Sequence, residues 1–125
     1  MWRINITMNK IKAVILSSAK LNDTKILEDK YENIKSFLDL NIPEHVTITI
    51  GVIKNVNLIS FLQEKGYEIN RKNQRVMSLE NSNKKLIREN DLVIFFKYQN
   101  NPKIDDFIKY AKSIENKKIV TLDME

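Results

Sequence analysis

Apolar residues along the chain fall into two alternating patterns. Short unbroken runs predict buried strands at Lys12–Ser18, Val46–Ile50, Leu92–Phe96 and Lys118–Leu122. The second run, Val46-Thr47-Ile48-Thr49-Ile50, is β-branched throughout, which suits a pleated surface. Tyr67–Ile69 reads as a shorter strand. Helical spacing fills the gaps. Asn22 or Asp23 opens a helix to about Leu40, with Leu27, Tyr31, Ile34 and Leu38 on one face. Pro43 ends it, because the residue before proline avoids the helical region. A second helix, opened by Asn55 or Asn57, runs through Lys65. Gly66 then supplies the left-handed residue that helix ends favour. Glu80–Arg88 predicts a third helix with Leu79, Leu86 and Ile87 inward. Pro102 suits the first turn of a fourth, whose Ile104, Phe107, Ile108 and Ala111 share one face and which ends near Asn116. Asn70–Ser78 is polar and carries no clear period.

Strands alternating with helices imply an α/β domain with a mainly parallel sheet of four to five strands, covered on both faces. Crossovers are expected to be right-handed. No linker or repeat divides the chain, so residues 11–125 form one domain and residues 1–10 an N-terminal arm. In that arm Trp2, Ile4 and Ile6 alternate with polar residues, a pattern suited to an added edge strand or a second subunit. Met8 offers an alternative start.

Composition narrows the chemistry. A chain of 125 residues is long enough for one core without disulfides or metal. There is no cysteine, which excludes disulfides and thiol catalysis and suits a reducing cytoplasm. With one histidine, His45, and scattered carboxylates, no metal site is legible and no cofactor is expected. His45 has no visible partner for acid–base work. No apolar run approaches the roughly 18 residues of a membrane span. The N-terminus lacks the features of a signal peptide. The net charge of +5 comes from 17 lysines and only 4 arginines, in a chain also rich in Ile and Asn. An AT-rich genome produces that bias, so the charge alone does not designate an anionic partner. Arg71-Lys72-x-x-Arg75 and Lys84-Lys85-x-x-Arg88 are basic clusters. The second lies on an amphipathic helix, where a solvated face explains it, and nucleic acid is not the expected partner.

The glycine count sharpens the functional question. Only Gly51 and Gly66 are present. Three segments nevertheless resemble a known family in order and spacing. The first is Ala13-Val14-Ile15-Leu16-Ser17-Ser18-Ala19-Lys20, followed by Asn22-Asp23. The second is Val46–Gly51 with Asn55 and the helix ending Glu64-Lys65-Gly66. The third is Asn83-x-x-Leu86-x-x-x-x-Asp91-x-Val93-x-x-Phe96. Over residues 11–123 the chain is similar to the SLOG superfamily, the Smf/DprA and LOG group of Rossmann-like domains, especially its small stand-alone bacterial and phage members. The resemblance implies a Rossmann-like fold and a nucleotide or nucleotide derivative at the carboxyl ends of the strands.

The departures fall on the chemistry. The family's Gly-Ser-Arg loop reads Ser17-Ser18-Ala19-Lys20 here, and Asn55 stands for its aspartate. The family's Gly-Gly-x-Gly-Thr loop becomes Asn100-Asn101-Pro102-Lys103-Ile104. Asn tolerates the left-handed region, so Asn100-Asn101 are expected to keep a similar loop shape. Pro102 removes a backbone donor. The arginine and glutamate of the family's hydrolases correspond to Ser82 and Phe107, which can neither hold phosphate nor support glycosidic cleavage. The expectation is a non-catalytic binding domain for a nucleotide-derived ligand, acting by sensing or sequestration. Ser17, Ser18, Lys20, Asn55, Asn83, Asn100 and Asn101 are its candidate contacts. The alternatives are a protein-interaction module, such as a phage or mobile-element protein acting on a host factor, and, third, a nucleoside-monophosphate hydrolase; separately, a homo-oligomer is left open.

Overall fold

The computed structural model describes residues 11–43, 46–51, 56–70 and 78–125. Within them five strands form one all-parallel sheet in the order β3-β2-β1-β4-β5. They are β1 (Ala13–Ser17), β2 (Ile48–Ile50), β3 (Ile69–Asn70), β4 (Leu92–Tyr98) and β5 (Lys118–Met124). The helices are α1 (Thr24–Asp29), α2 (Tyr31–Asn41), α3 (Val56–Glu64), α4 (Leu79–Glu89) and α5 (Pro102–Lys112), with a 3-10 turn at Ala19–Asn22. This is the single Rossmann-like α/β domain that the alternation of patterns predicts.

β1 is the centre of the molecule, and all five of its residues are buried. Its alternate side chains serve two cores. Ala13 and Ile15 join Leu27 of α1, Ile34 and Leu38 of α2, and Leu58, Phe61 and Leu62 of α3. Val14 and Leu16 join Ile87 of α4 and Ile104 and Ala111 of α5. Both faces of β1 and β4 therefore need apolar residues, which is why these strands read as unbroken runs rather than alternating ones.

Several boundaries differ from the sequence pattern. The helix expected to run from Asp23 to Leu40 is two helices, broken at Lys30 (φ −97°, ψ 8°). The halves pack on different partners: α1 against α3, and α2 against β5. Leu79 faces outward and is 40% exposed, because it opens α4 directly after its cap. The buried face of α4 is instead Ser82, Asn83 and Ile87. α5 stops at Lys112, and Asn116 (φ 64°) turns the chain into β5. β2 begins at Ile48, and β4 extends to Tyr98. The N-terminal arm, His45, Asn55 and the Arg71–Arg75 cluster lie outside the described residues.

The two glycines meet different needs. Gly66 follows α3 at φ 95°, a conformation that costs side chains strain, and an added Cβ would meet nothing within 4 Å. Gly51 is held by close approach. Its N–H donates to the Ile15 carbonyl at 2.7 Å. A Cβ there would lie 2.8 Å from Leu16 Cδ2 and 3.1 Å from Asn83 Oδ1. Gly51→Ala is expected to lower stability by about 1–3 kcal/mol through overpacking, and Gly66→Ala by about 1 kcal/mol through strain. Urea unfolding distinguishes the causes: Leu16→Ala should relieve the Gly51→Ala penalty and leave that of Gly66→Ala unchanged. Equal penalties in both backgrounds would contradict the packing explanation.

Candidate functional site

In a sheet ordered this way the chain leaves β1 toward β2 and β3, then crosses to β4 and β5. The crevice between the carboxyl ends of β1 and β4 is thus the topological switch point, where open α/β sheets receive ligands. Ser17 ends β1, Ser18 and Lys20 follow it, and Asn100 and Asn101 follow β4.

Ser17 and Ser18 are both buried. Ser18 continues the β1–β4 ladder by an exchange of groups. Its N–H donates to the Phe96 carbonyl at 2.9 Å. Its carbonyl is turned away to accept from Leu21 N–H at 3.0 Å and Ser17 Oγ at 3.1 Å. The hydroxyl then accepts from Tyr98 N–H at 3.0 Å. A serine oxygen therefore joins the strands where a backbone carbonyl would otherwise stand, and the two ends are held together.

The start of α5 is likewise satisfied by its own cap. Asn101 Oδ1 accepts from Ile104 N–H at 3.0 Å, and its carbonyl accepts from Asp105 N–H at 3.1 Å. Pro102 has no N–H to offer. Asn101 itself is extended (φ −141°, ψ 95°), and the left-handed residue is Gln99 (φ 60°). The expected loop shape kept by Asn100-Asn101 is thus corrected: capping geometry holds Asn101 extended, and the turn is made one residue before Asn100. Asn100 is exposed.

The loop after β1 also caps neighbouring helices. Asn22 Oδ1 accepts from Asn57 N–H at 2.9 Å and Leu58 N–H at 3.0 Å, at the start of α3. Asn57 returns a side-chain bond to the Asn22 carbonyl at 2.8 Å. Asp23 accepts from Lys25 and Ile26 N–H groups at the start of α1. Asn57, one of the two expected caps of this helix, instead lies inside it and donates to a side chain from another loop, and Asn55, the other, lies outside the described residues.

Two clefts result. The first, of about 530 Å³, lies at the switch point and is lined by Ala19, Lys20, Asn22, Asp23, Ile26, Tyr98 and Gln99. The second, of about 550 Å³, is a groove between α4 and α5. Leu79, Glu80, Asn83 and Lys84 line it from α4; Lys103, Asp106, Phe107, Lys109 and Tyr110 line it from α5. Lys20 and Asn83, expected in one site, thus stand in different clefts.

The groove has an aromatic wall and a mixed rim. Phe107 and Tyr110 are half-buried. Lys84 Nζ lies 5.1 Å from the Tyr110 ring centroid and 3.3 Å from Glu80 Oε2. Arg88 donates to the Tyr110 hydroxyl at 3.0 Å, which fixes the ring. Three lysines against two carboxylates leave the lining at net +1. Asn83 is 3% exposed and touches both the groove and the end of β2 beside Gly51. The sequence pattern placed Phe107 on the apolar face of α5 and gave Tyr110 no role. The available signal was the stripe Lys103, Phe107, Tyr110 at helical spacing, beside the core stripe Ile104 and Ala111.

Displaced titrations occur away from both mouths. A hydrogen bond from Lys35 holds the Asp39 carboxyl below its usual range, with a second bond from Tyr67 adding to it. Lys97 is raised by its 2.8 Å pair with Asp105. No cluster of three metal-ligating side chains occurs among the described residues. No helix among them is long and apolar enough to cross a membrane.

Comparison with known proteins finds no matching family model and no significant match among curated proteins or solved structures.

The strand-end bonds set a stability test. Ser18→Ala leaves the Tyr98 N–H without its acceptor and should cost about 1–3 kcal/mol. Asn101→Ala should cost about 1 kcal/mol by uncapping α5. Lys20→Ala and Asn100→Ala should remain within about 0.5 kcal/mol of the native chain. Denaturant unfolding of the four variants measures this. A Ser18→Ala cost as small as that of Lys20→Ala would contradict the closure described.

Proposed function

We propose that this domain binds a nucleotide-derived ligand in the α4–α5 groove and senses or sequesters it without turnover. One observation carries the reading: the groove joins an aromatic wall, a buried amide and a cationic rim in a volume of about 550 Å³, within the range of small-molecule sites. A base would lie against Phe107 and Tyr110, where stacking contributes about 1–3 kcal/mol per base. Lys103 and Lys109 would meet phosphate as point charges. Asn83 brings a side-chain amide to the groove, against the edge of the ring.

Support also comes from the SLOG resemblance, since Asn83 and Lys103 lie in segments it assigns to ligand contact. After β1 and at the start of α5, Ser18 and Asn101 take up the Tyr98 and Ile104 N–H groups that would otherwise be free to meet an anion. A ligand would therefore shift to the outer layer. The reading as a binder rather than a hydrolase rests on Ser82 and Phe107 at the two hydrolase positions, and on Asp105 being paired with Lys97. Asp106 is the carboxylate that α5 presents to the groove.

The test is a thermal-shift and calorimetric screen of nucleoside monophosphates, dinucleotides and ADP-ribose derivatives, with the nucleotide recovered and analysed afterwards. Ligand at 100 Kd should add about 2.7 kcal/mol of stability. Lys103→Ala combined with Lys109→Ala should weaken binding by about tenfold, or 1.4 kcal/mol. No stabilisation by any compound, or binding indifferent to the double variant, would reject the groove as the site. Release of free base would replace the proposal with the hydrolase.

A further inference from the structure

β5 is a seven-residue edge strand, and its hydrogen-bonding groups can be sorted by parity. Lys118 N–H donates to the Asp91 carbonyl, and the Met124 carbonyl accepts from Gln99 N–H. Successive residues of a strand point their backbone groups to opposite sides. Lys118, Val120, Leu122 and Met124 therefore face β4. Ile119, Thr121 and Asp123 direct theirs away from the sheet, where none meets a partner among the described residues.

The two edges of the sheet are unlike. Among the described residues β3 has two, Ile69 and Asn70. β5 has no proline, no glycine and no bulge in its register with β4, and its residues Val120 and Leu122 are only partly buried. Proteins normally blunt such an edge, and one left long and regular is a template for another strand.

The geometry points to a second copy of this chain as the occupant, with β5 pairing antiparallel to β5 about a twofold axis at Thr121. Hydrogen-bonded pairs require outward groups on both strands, so odd residues must oppose odd residues. Centring on Thr121 opposes Thr121 to Thr121 and Ile119 to Asp123 in both directions, giving about six hydrogen bonds. A shift by one pair in either direction leaves outward groups beyond the partner strand's end. Residues opposite one another share a face. Val120 of each copy therefore meets Leu122 of the other and completes the partly open apolar side. No like charges are opposed: Lys118 stands across from Met124, and Asp123 from Ile119. Closed twofold pairing is also the commonest symmetry of homo-oligomers.

Parity provides a clean variant. Thr121→Pro removes an N–H that points away from β4, so the ladder to β4 keeps its bonds while the edge loses its central one. Thr121→Lys leaves the backbone intact and sets two ammonium groups face to face at the axis. Size-exclusion chromatography with light scattering, across a dilution series, should give the native chain twice its 14.7 kDa mass. Both variants should run as monomers with unchanged circular dichroism, and if the proline variant fails to fold, the lysine variant decides. Hydrogen exchange should show Thr121 N–H protected only at dimer-forming concentrations. The pairing is overturned by a native chain that stays monomeric at its highest soluble concentration. It is equally overturned by a dimer that survives Thr121→Lys, or by Thr121 N–H protection independent of concentration, which would mark cover by the chain's own residues.

Discussion

The hydrogen bond from Tyr98 N–H to Ser18 Oγ governs much of the molecule. β1 is buried on both faces and between two neighbours, so water cannot satisfy its terminal groups. Ser18 lets the carbonyl leave the ladder and begin the 3-10 turn, while the hydroxyl keeps β1 and β4 joined. That turn delivers Asn22 to the start of α3 and Asp23 to the start of α1. A single exchange of a carbonyl for a hydroxyl thus orders the strand ends and two helix starts on one side of the sheet.

The fold was legible because burial on both faces writes itself into sequence. Ala13–Leu16 and Leu92–Phe96 are unbroken apolar runs because each residue must satisfy one of two cores. Gly66 was legible because its positive φ is a local demand. The break at Lys30 was not legible, since no proline or glycine marks it and only the separate partners of α1 and α2 explain it. Leu79 misled for a related reason: an apolar residue at the first helical position follows the cap rather than the helix's buried face.

The site was legible only in part. Ser17, Ser18 and Asn101 were singled out by their position at strand ends, but the bond that occupies the Ser18 hydroxyl comes from a partner 80 residues away. Composition cannot reveal whether a serine oxygen faces a ligand or a neighbouring strand. Asn83 was identified by spacing, and it does line a cavity. Its neighbours there come from α5, so the groove needed the packing of α4 on α5 to become visible. Gly51 shows the same limit. Its place at the end of the second strand gave no sign of the contact it permits, with Leu16 and Asn83.

α5 links the groove to the edge of the sheet. It lines the groove, packs under β4 and β5, and is tied to the end of β4 by the Lys97–Asp105 pair. In the β5 pairing proposed above, odd opposes odd, so the twofold axis runs perpendicular to the sheet and each layer stays on its own side. The α4–α5 layers of both copies then lie on one face, and both grooves open in the same direction. A ligand that draws α5 toward α4 would act on an element packed directly against the paired strands. Ligand affinity and association would then be thermodynamically linked, each altering the other by the same factor.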